Sequence, residues 1–325
     1  MTTRSESLAI IENYFAIRLI EKRIADEYPS GEIRCPTHLS LGQEVLPALL
    51  GSLMRVSDLA ISSHRGHSHY LAKGGNRYRL VAELYGKSTG CSKGRGGSMH
   101  LIDLSVNFLG TTAIVANSIP VGVGAAAALK LREDVRKDLC FVFFGDGAVE
   151  EGAFAESLNI AVLQDLPVVF ICENNAFSVY THQNERQPQN RKIYDWARGF
   201  GIRSELVQVN NDNLEHPLTQ LREALNWARE NSKPVFFEVP SWREVEHCGP
   251  NNDDHLAYRD LREIARWGEN SQDLNIALMG IRAGVLQNEI EEIRESLLKS
   301  IDDIFCKVKQ DPYELSKDVL GSIYA

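Results

Sequence analysis

Leu8, Ile11, Phe15 and Leu19 recur at helical spacing and predict an opening helix over Leu8–Asp26. Leu41–Met54 and Tyr78–Tyr85 read as further helices, with histidine-bearing turns between them. Ser88–Asn107 breaks the pattern: Gly-rich and basic, it predicts an irregular connection with few core residues. Pro120–Arg132, almost wholly Gly, Ala, Val and Leu, predicts a buried, closely packed helix. Cys140–Phe144 and Leu166–Cys172 are short apolar runs of buried-strand type, flanking a helical stretch over Phe154–Leu163. Glu205–Val209 and Val235–Val239 predict two more buried strands, joined by a helix over Pro217–Asn231. Near the end, Leu286, Ile290, Ile293, Leu297, Ile301, Ile304 and Val308 step by four or three, so 285–310 predicts an amphipathic helix. Its apolar stripe must pack on its own domain or cover another subunit. No repeat, low-complexity stretch or linker intervenes, and the expectation is one α/β domain over 1–325.

The loops of the central strand–helix–strand unit carry the chemistry. Gly145-Asp146-Gly147 follows the first strand, and Asn174-Asn175 follows the second, Asn175 standing 29 residues after Asp146. In a parallel βαβ unit both loops fall at the carboxyl edge of the sheet, where open α/β folds bind ligands. One carboxylate and one amide oxygen there suit a hard cation such as Mg²⁺, which also takes phosphate oxygens and water. The two glycines allow the backbone to approach a diphosphate closely. A rival motif, Gly122-Val-Gly124-Ala-Ala-Ala127, spells the dinucleotide fingerprint. It lacks a strand directly before it and an acid ending a second strand about twenty residues on, so close helix packing accounts for its small residues.

The spacing of Gly145-Asp146-Gly147 and Asn174-Asn175 resembles the thiamin diphosphate motif. From about residue 8 to 260 the chain is similar to the α subunit of the E1 component of 2-oxo acid dehydrogenases, of the bacterial acetoin and pyruvate dehydrogenase type. Thr37-His-Leu-Ser-Leu-Gly-Gln-Glu44, Ser63-His-Arg-Gly-His67, Tyr85-Gly-Lys and Lys93-Gly-Arg-Gly-Gly-Ser-Met-His100 carry the likeness with the GDG unit, in the family's order. The resemblance implies a thiamin diphosphate fold: a mostly parallel sheet flanked by helices, with helical extensions at both termini. It implies Mg²⁺ held by Asp146, Asn175 and the Phe177 carbonyl. It places the cofactor against His64, Arg65, Ala113, Val115, Asp146, Gly147, Ala148, Asn175, Phe177 and His247, and makes His38, His67 and His247 the catalytic histidines. Arginine suits this setting because its planar fork matches phosphate oxygens, and histidines near the cofactor are natural proton carriers. Glu156 either orients the site or sits on a solvated helix face.

The resemblance further implies a separate β subunit in an α₂β₂ assembly, since the family's cofactor-activating glutamate lies on that partner. The substrate class is a small 2-oxo acid or acyloin, and the acceptor is a lipoyl group on an acyltransferase or another acceptor. A carboligase or ketol transferase of sugar or secondary metabolism is the alternative, and a non-catalytic binding subunit is the reading from another class. Several positions depart from common relatives: His64 replaces a tyrosine, as in acetoin-type enzymes, Phe177 removes a hydroxyl, Ala113 replaces glycine, and Glu150-Glu151 replaces Asn-Gln. Cys248 stands where animal enzymes carry a phosphorylated serine, so that control is not expected.

Composition narrows the partners. A net charge of −9 disfavours nucleic acid, whose phosphates call for a basic face. The longest apolar stretch, Ala113–Leu131, is broken by Asn117-Ser118 and Pro120, so no membrane span is expected. The N-terminus lacks a signal-peptide layout, and the six cysteines form no CxxC pair. Structural thiols in a reducing cytoplasm are expected.

Overall fold

The computed structural model describes residues 2–132, 137–269 and 271–314. Helix α1 (Arg4–Glu27), capped by the Thr3 hydroxyl, leads into α2 (Val45–Leu53) and strand β1 (Leu59–Ser63). Two short helices, α3 (His67–Ala72) and α4 (Arg77–Leu84), precede β2 (Phe108–Thr112) and α5 (Ser118–Leu131). The central unit is β3 (Cys140–Gly145), α6 (Gly152–Leu163) and β4 (Val168–Asn174). A small hairpin, β5 (Phe177–Ser178) with β6 (Thr181–His182), runs into α7 (Gln183–Arg186) and α8 (Ile193–Arg198). Next come β7 (Arg203–Leu206), α9 (Glu215–Asn231) and β8 (Val235–Pro240). Helices α10 (Leu261–Glu269), α11 (Gln272–Arg282) and α12 (Gln287–Val308) follow.

Six strands form one sheet in the order β2-β1-β3-β4-β8-β7, every pair parallel. Residues alternate between its faces, as the pleat requires. Ala60, Phe141, Phe143, Val169, Ile171, Val235 and Phe237 pack on one side with α1, α2, α4, α9, α11 and α12. Ile61, Val142, Phe144, Phe170 and Phe236 pack on the other with α5, α6 and α8. A buried pair anchors the amino edge: both nitrogens of the Arg229 fork reach Asp58, at 2.7 and 2.5 Å, and Asp58 also accepts from the Leu139 backbone. Such bidentate geometry satisfies the charge that burial would otherwise penalise.

Strands β1 and β2 and the burial of helix α5 differ from the sequence reading. Strands β1 and β2 were not anticipated, because Leu-Ala-Ile-Ser-Ser and Phe-Leu-Gly-Thr-Thr mix small and polar residues and lack a clear period. Helix α5 is not buried throughout. Ile119, Gly122, Val123 and Ala126 face the core, whereas Val121 is 49% exposed and Leu131 82%. Its small residues suited the buried-helix reading, but only one side meets the sheet. The stripe on α12 covers its own chain: Ile290, Leu297, Ile301, Phe305 and Val308 are buried in the core that α1 and α4 share. No helix among the described residues is long and apolar enough to cross a membrane.

Candidate active site

The chain leaves β1 for β2 on one side and returns to β3 on the other, so the order of strands reverses between β1 and β3. Ligands of open α/β sheets bind at such a switch point, beyond the carboxyl ends of the strands. Here β1 ends at Ser63 and delivers His64 and Arg65, β3 ends at Gly145 and delivers Asp146, and β4 ends at Asn174 and delivers Asn175. The β3–β4 register pairs Gly145 with Glu173, which sets the two loops side by side. A cavity there is lined by His64, Arg65, Val115, Asp146, Gly147, Ala148, Asn175, Phe177 and His247, together with Gln43, Glu173 and Ser178. Of the expected cofactor contacts and catalytic histidines, Ala113, His38 and His67 fall outside that lining.

Asp146 is 1% exposed. Burial raises its pKa, against the pull of the Arg186 guanidinium. Arg186 reaches Asp146 Oδ2 at 2.5 Å and also pairs with Glu150, which accepts from the Gln187 amide at 2.9 Å. A cation therefore already sits against this carboxylate, and the donor set suits positive charge. The Asn175 side chain spans the gap to the opposite wall: its amide nitrogen donates to Gln43 at 3.3 Å, and its oxygen accepts from the Phe177 backbone at 3.1 Å. Ala176 between them has φ +65°, a left-handed turn that aims both neighbours. Gly147 packs closely against the hairpin, where a Cβ would lie 3.0 Å from Ser178 Oγ. Carboxylate, amide oxygen and backbone carbonyl are the hard oxygens that Mg²⁺ prefers, so these residues fit the cation.

Arg65 is buried and directed by carbonyls: it donates to Leu39 at 2.5 Å and to His247 at 3.0 Å. Burial lowers its pKa to about 10, which leaves it cationic near neutrality. His247 rides on a loop pinned to the His38 turn, because Gly249 donates to the Thr37 carbonyl and Glu244 to the Leu41 carbonyl. Arg18 secures the same loop through Glu44 and Glu244. The rings of His38, His64 and His247 consequently meet, with centroids 4.6, 5.1 and 5.3 Å apart. All three pKa values are depressed, chiefly by burial: His38 to about 2, His64 to about 4 and His247 to about 3. Arg65 adds repulsion in each case.

His67 stands apart from this group. It is fully buried, with Nδ1 2.8 Å from Glu21 and Nε2 2.8 Å from Ser98, and it does not line the cavity. Ser98 accepts from the His38 backbone, and Glu21 accepts from Ser40, so His67 braces the His38 turn from behind. Its contacts support the turn and do not face the cavity. Glu156 lies on the solvated face of α6. Glu21, Gln43, Glu173 and Arg186 escaped the sequence reading. Only Glu173 carried a local signal, a carboxylate directly before the Asn pair on an otherwise apolar strand.

A parallel α/β sheet with an arginine, a buried carboxylate turn and an amide around a cavity at its switch point places the chain among the open α/β proteins that bind a ligand there. The profile of the family described as "Dehydrogenase E1 component" matches residues 12–316. The pyruvate dehydrogenase E1 component subunit alpha of Rickettsia typhi is 34% identical over 303 residues, 93% of this chain and 89% of that protein. The same subunit of Rickettsia felis is 33% identical over 316 residues, 97% of this chain and 92% of its own. The chloroplastic subunit alpha-3 of Oryza sativa subsp. japonica is 34% identical over 273 residues, 79% of this chain and 64% of its own. The chain belongs to this family, the E1 α subunits of thiamin diphosphate-dependent 2-oxo acid dehydrogenases.

Proposed function

We propose that this chain is the diphosphate-side half of an E1 enzyme that cleaves a small 2-oxo acid of the pyruvate class in the cytoplasm, with Mg²⁺ as the cofactor's counter-ion and a β subunit completing an α₂β₂ assembly. The observation that carries the reading is the convergence of Arg65, Asp146 and Asn175 on one cavity at the β1/β3 switch point. Relatives named as pyruvate dehydrogenase subunits over nearly their whole length support the substrate class. Thiamin diphosphate, when bound, supplies a nucleophilic carbon for the carbonyl and a sink for the electrons released on cleavage. Asp146, Asn175 and the Phe177 carbonyl hold the cation. Arg65, Gly147 and Ala148 line the same cavity and would meet the diphosphate. His247 lines the cavity and His38 packs against it; both are neutral near pH 7 and would serve as proton relays for the reaction. The acceptor is a lipoyl group on an acyltransferase. Acetoin is the second substrate, favoured by His64, which stands where common relatives carry a tyrosine and acetoin-type enzymes a histidine.

Cofactor titration of the chain with its β subunit tests the reading. Asp146→Ala removes one ligand of the counter-ion, and thiamin diphosphate affinity with Mg²⁺ should fall at least about tenfold while the fold survives. Equal affinity in mutant and parent sinks the cation assignment. Turnover of pyruvate, its longer homologues and acetoin with an artificial electron acceptor then ranks the substrates.

A further inference from the structure

His38, His64 and His247 come from three separate segments, yet one ligating atom from each lies within 4.8 Å of the other two. Among the described residues no other histidine, cysteine or carboxylate cluster closes in this way. The ring centroids already stand at the separations a metal would impose. With metal–nitrogen distances near 2.05 Å and tetrahedral angles, three ligating imidazoles put their centroids roughly 5.2 Å apart. The observed values are 4.6, 5.1 and 5.3 Å. The ligating nitrogens, within 4.8 Å of one another, must close to roughly 3.3 Å to share one ion.

One further observation points to a ligand. His38 is 7% exposed, and its Nδ1 is buried with no hydrogen-bond partner, an arrangement that normally costs free energy. Neutral imidazole is the form that donates a lone pair to a metal. Arg65, whose guanidinium is engaged by two carbonyls, and Arg243 both oppose a dication through space, a cost that the three ligating nitrogens must outweigh. Imidazole ligands select zinc, copper and nickel over magnesium, whose oxygen ligands lie elsewhere in the cavity.

We propose that His38, His64 and His247 form a three-imidazole site for one divalent ion of the zinc class, distinct in ligand set from the oxygen donors around Asp146. This inference goes beyond the cofactor reading and stands without it. Where that reading holds, an ion bound here occupies the imidazoles assigned to proton handling and inhibits turnover.

The test uses the full chain, in the assembly it forms on expression, stripped of metal and cofactor. Titration with Co²⁺ should produce visible absorption bands of a tetrahedral complex at one equivalent, and Zn²⁺ should displace them. His38→Ala, His64→Ala and His247→Ala should each weaken Zn²⁺ binding at least about tenfold, since each removes one of three ligands. Asp146→Ala should leave Zn²⁺ binding unchanged, and circular dichroism checks that each variant folds. No saturable Co²⁺ spectrum, or Zn²⁺ binding that survives His64→Ala in a folded protein, would overturn the site. Zinc binding in the stripped protein alongside absent cofactor binding keeps the site and removes the cofactor reading instead.

Discussion

Arg186 holds a buried carboxylate from 40 residues away, in the place where the proposed counter-ion belongs. Truncating one member of a buried pair leaves the other charge without compensation. Arg186→Gln should therefore destabilise the protein by about 3 kcal/mol without metal. The loss should shrink when Mg²⁺ and thiamin diphosphate are present, because a bound cation takes over the role. Thermal melts with and without both ligands check this, and an identical loss in the two conditions refutes the exchange. The histidine cluster makes a second residue-scale prediction, with a defined sign. Unfolded, each imidazole gains a proton as pH falls through about 6.5, whereas folded His64 waits until about 4. Between those values the unfolded state binds more protons, so the stability present above about pH 7 is lost toward acid. The slope is roughly 1.4 kcal/mol per pH unit for each such imidazole. Melting temperature should fall between pH 6.5 and 4.5 more steeply in the parent than in His64→Phe. Equal slopes would mean that His64 is not held neutral by the fold.

Helix α5 shows how one element divides its residues between two tasks. A Cβ on Gly122 would sit 2.3 Å from Val142 and 3.1 Å from Ile61, both on the strands beneath, whereas a Cβ on Gly124 would meet nothing within 4 Å. Gly122→Ala should cost about 1–3 kcal/mol through overpacking. Gly124→Ala should be neutral or stabilising by up to about 1 kcal/mol, through helix propensity alone. Denaturant unfolding of the two variants separates them, and similar effects would show that the helix does not lie as described. The α12 stripe was open between two partners in the sequence because amphipathicity states that a face is covered and not by what. Packing settled it, with Phe305 at the centre of the covered face, stacked edge-on to Tyr85.

At the scale of the whole molecule, the outer side of α5 and the loop before it remain apolar and open. Ile114 is 67% exposed, and Val115, which lines the cavity, is 49% exposed. One wall of the proposed site therefore continues into a surface suited to a partner, as the two-subunit reading requires. The purified chain should bind thiamin diphosphate weakly and show no decarboxylation, and co-expression with a β subunit should restore both. Light scattering and activity measured on the chain alone decide the matter. Full turnover by a homo-oligomer of this polypeptide would remove the need for the β subunit.

Local pattern was enough for the central βαβ unit and its two ligand loops. Cys140–Phe144, Asp146, Leu166–Cys172 and Asn175 lie within about forty residues, and alternating strand and helix periods reach no further than their own segments. Family resemblance extended that reading to Arg65 and to the histidines of distant loops. Only the tertiary structure determined which side chains meet. Glu21 and His67 are 46 residues apart, and Arg65 and the His247 carbonyl 182. It moved His67 behind the cavity, set Arg186 against Asp146, and left half of α5 open. The reason is physical: periodicity records which face of a segment avoids water, and hydrogen-bond partners across loops are chosen by the folded backbone that carries them.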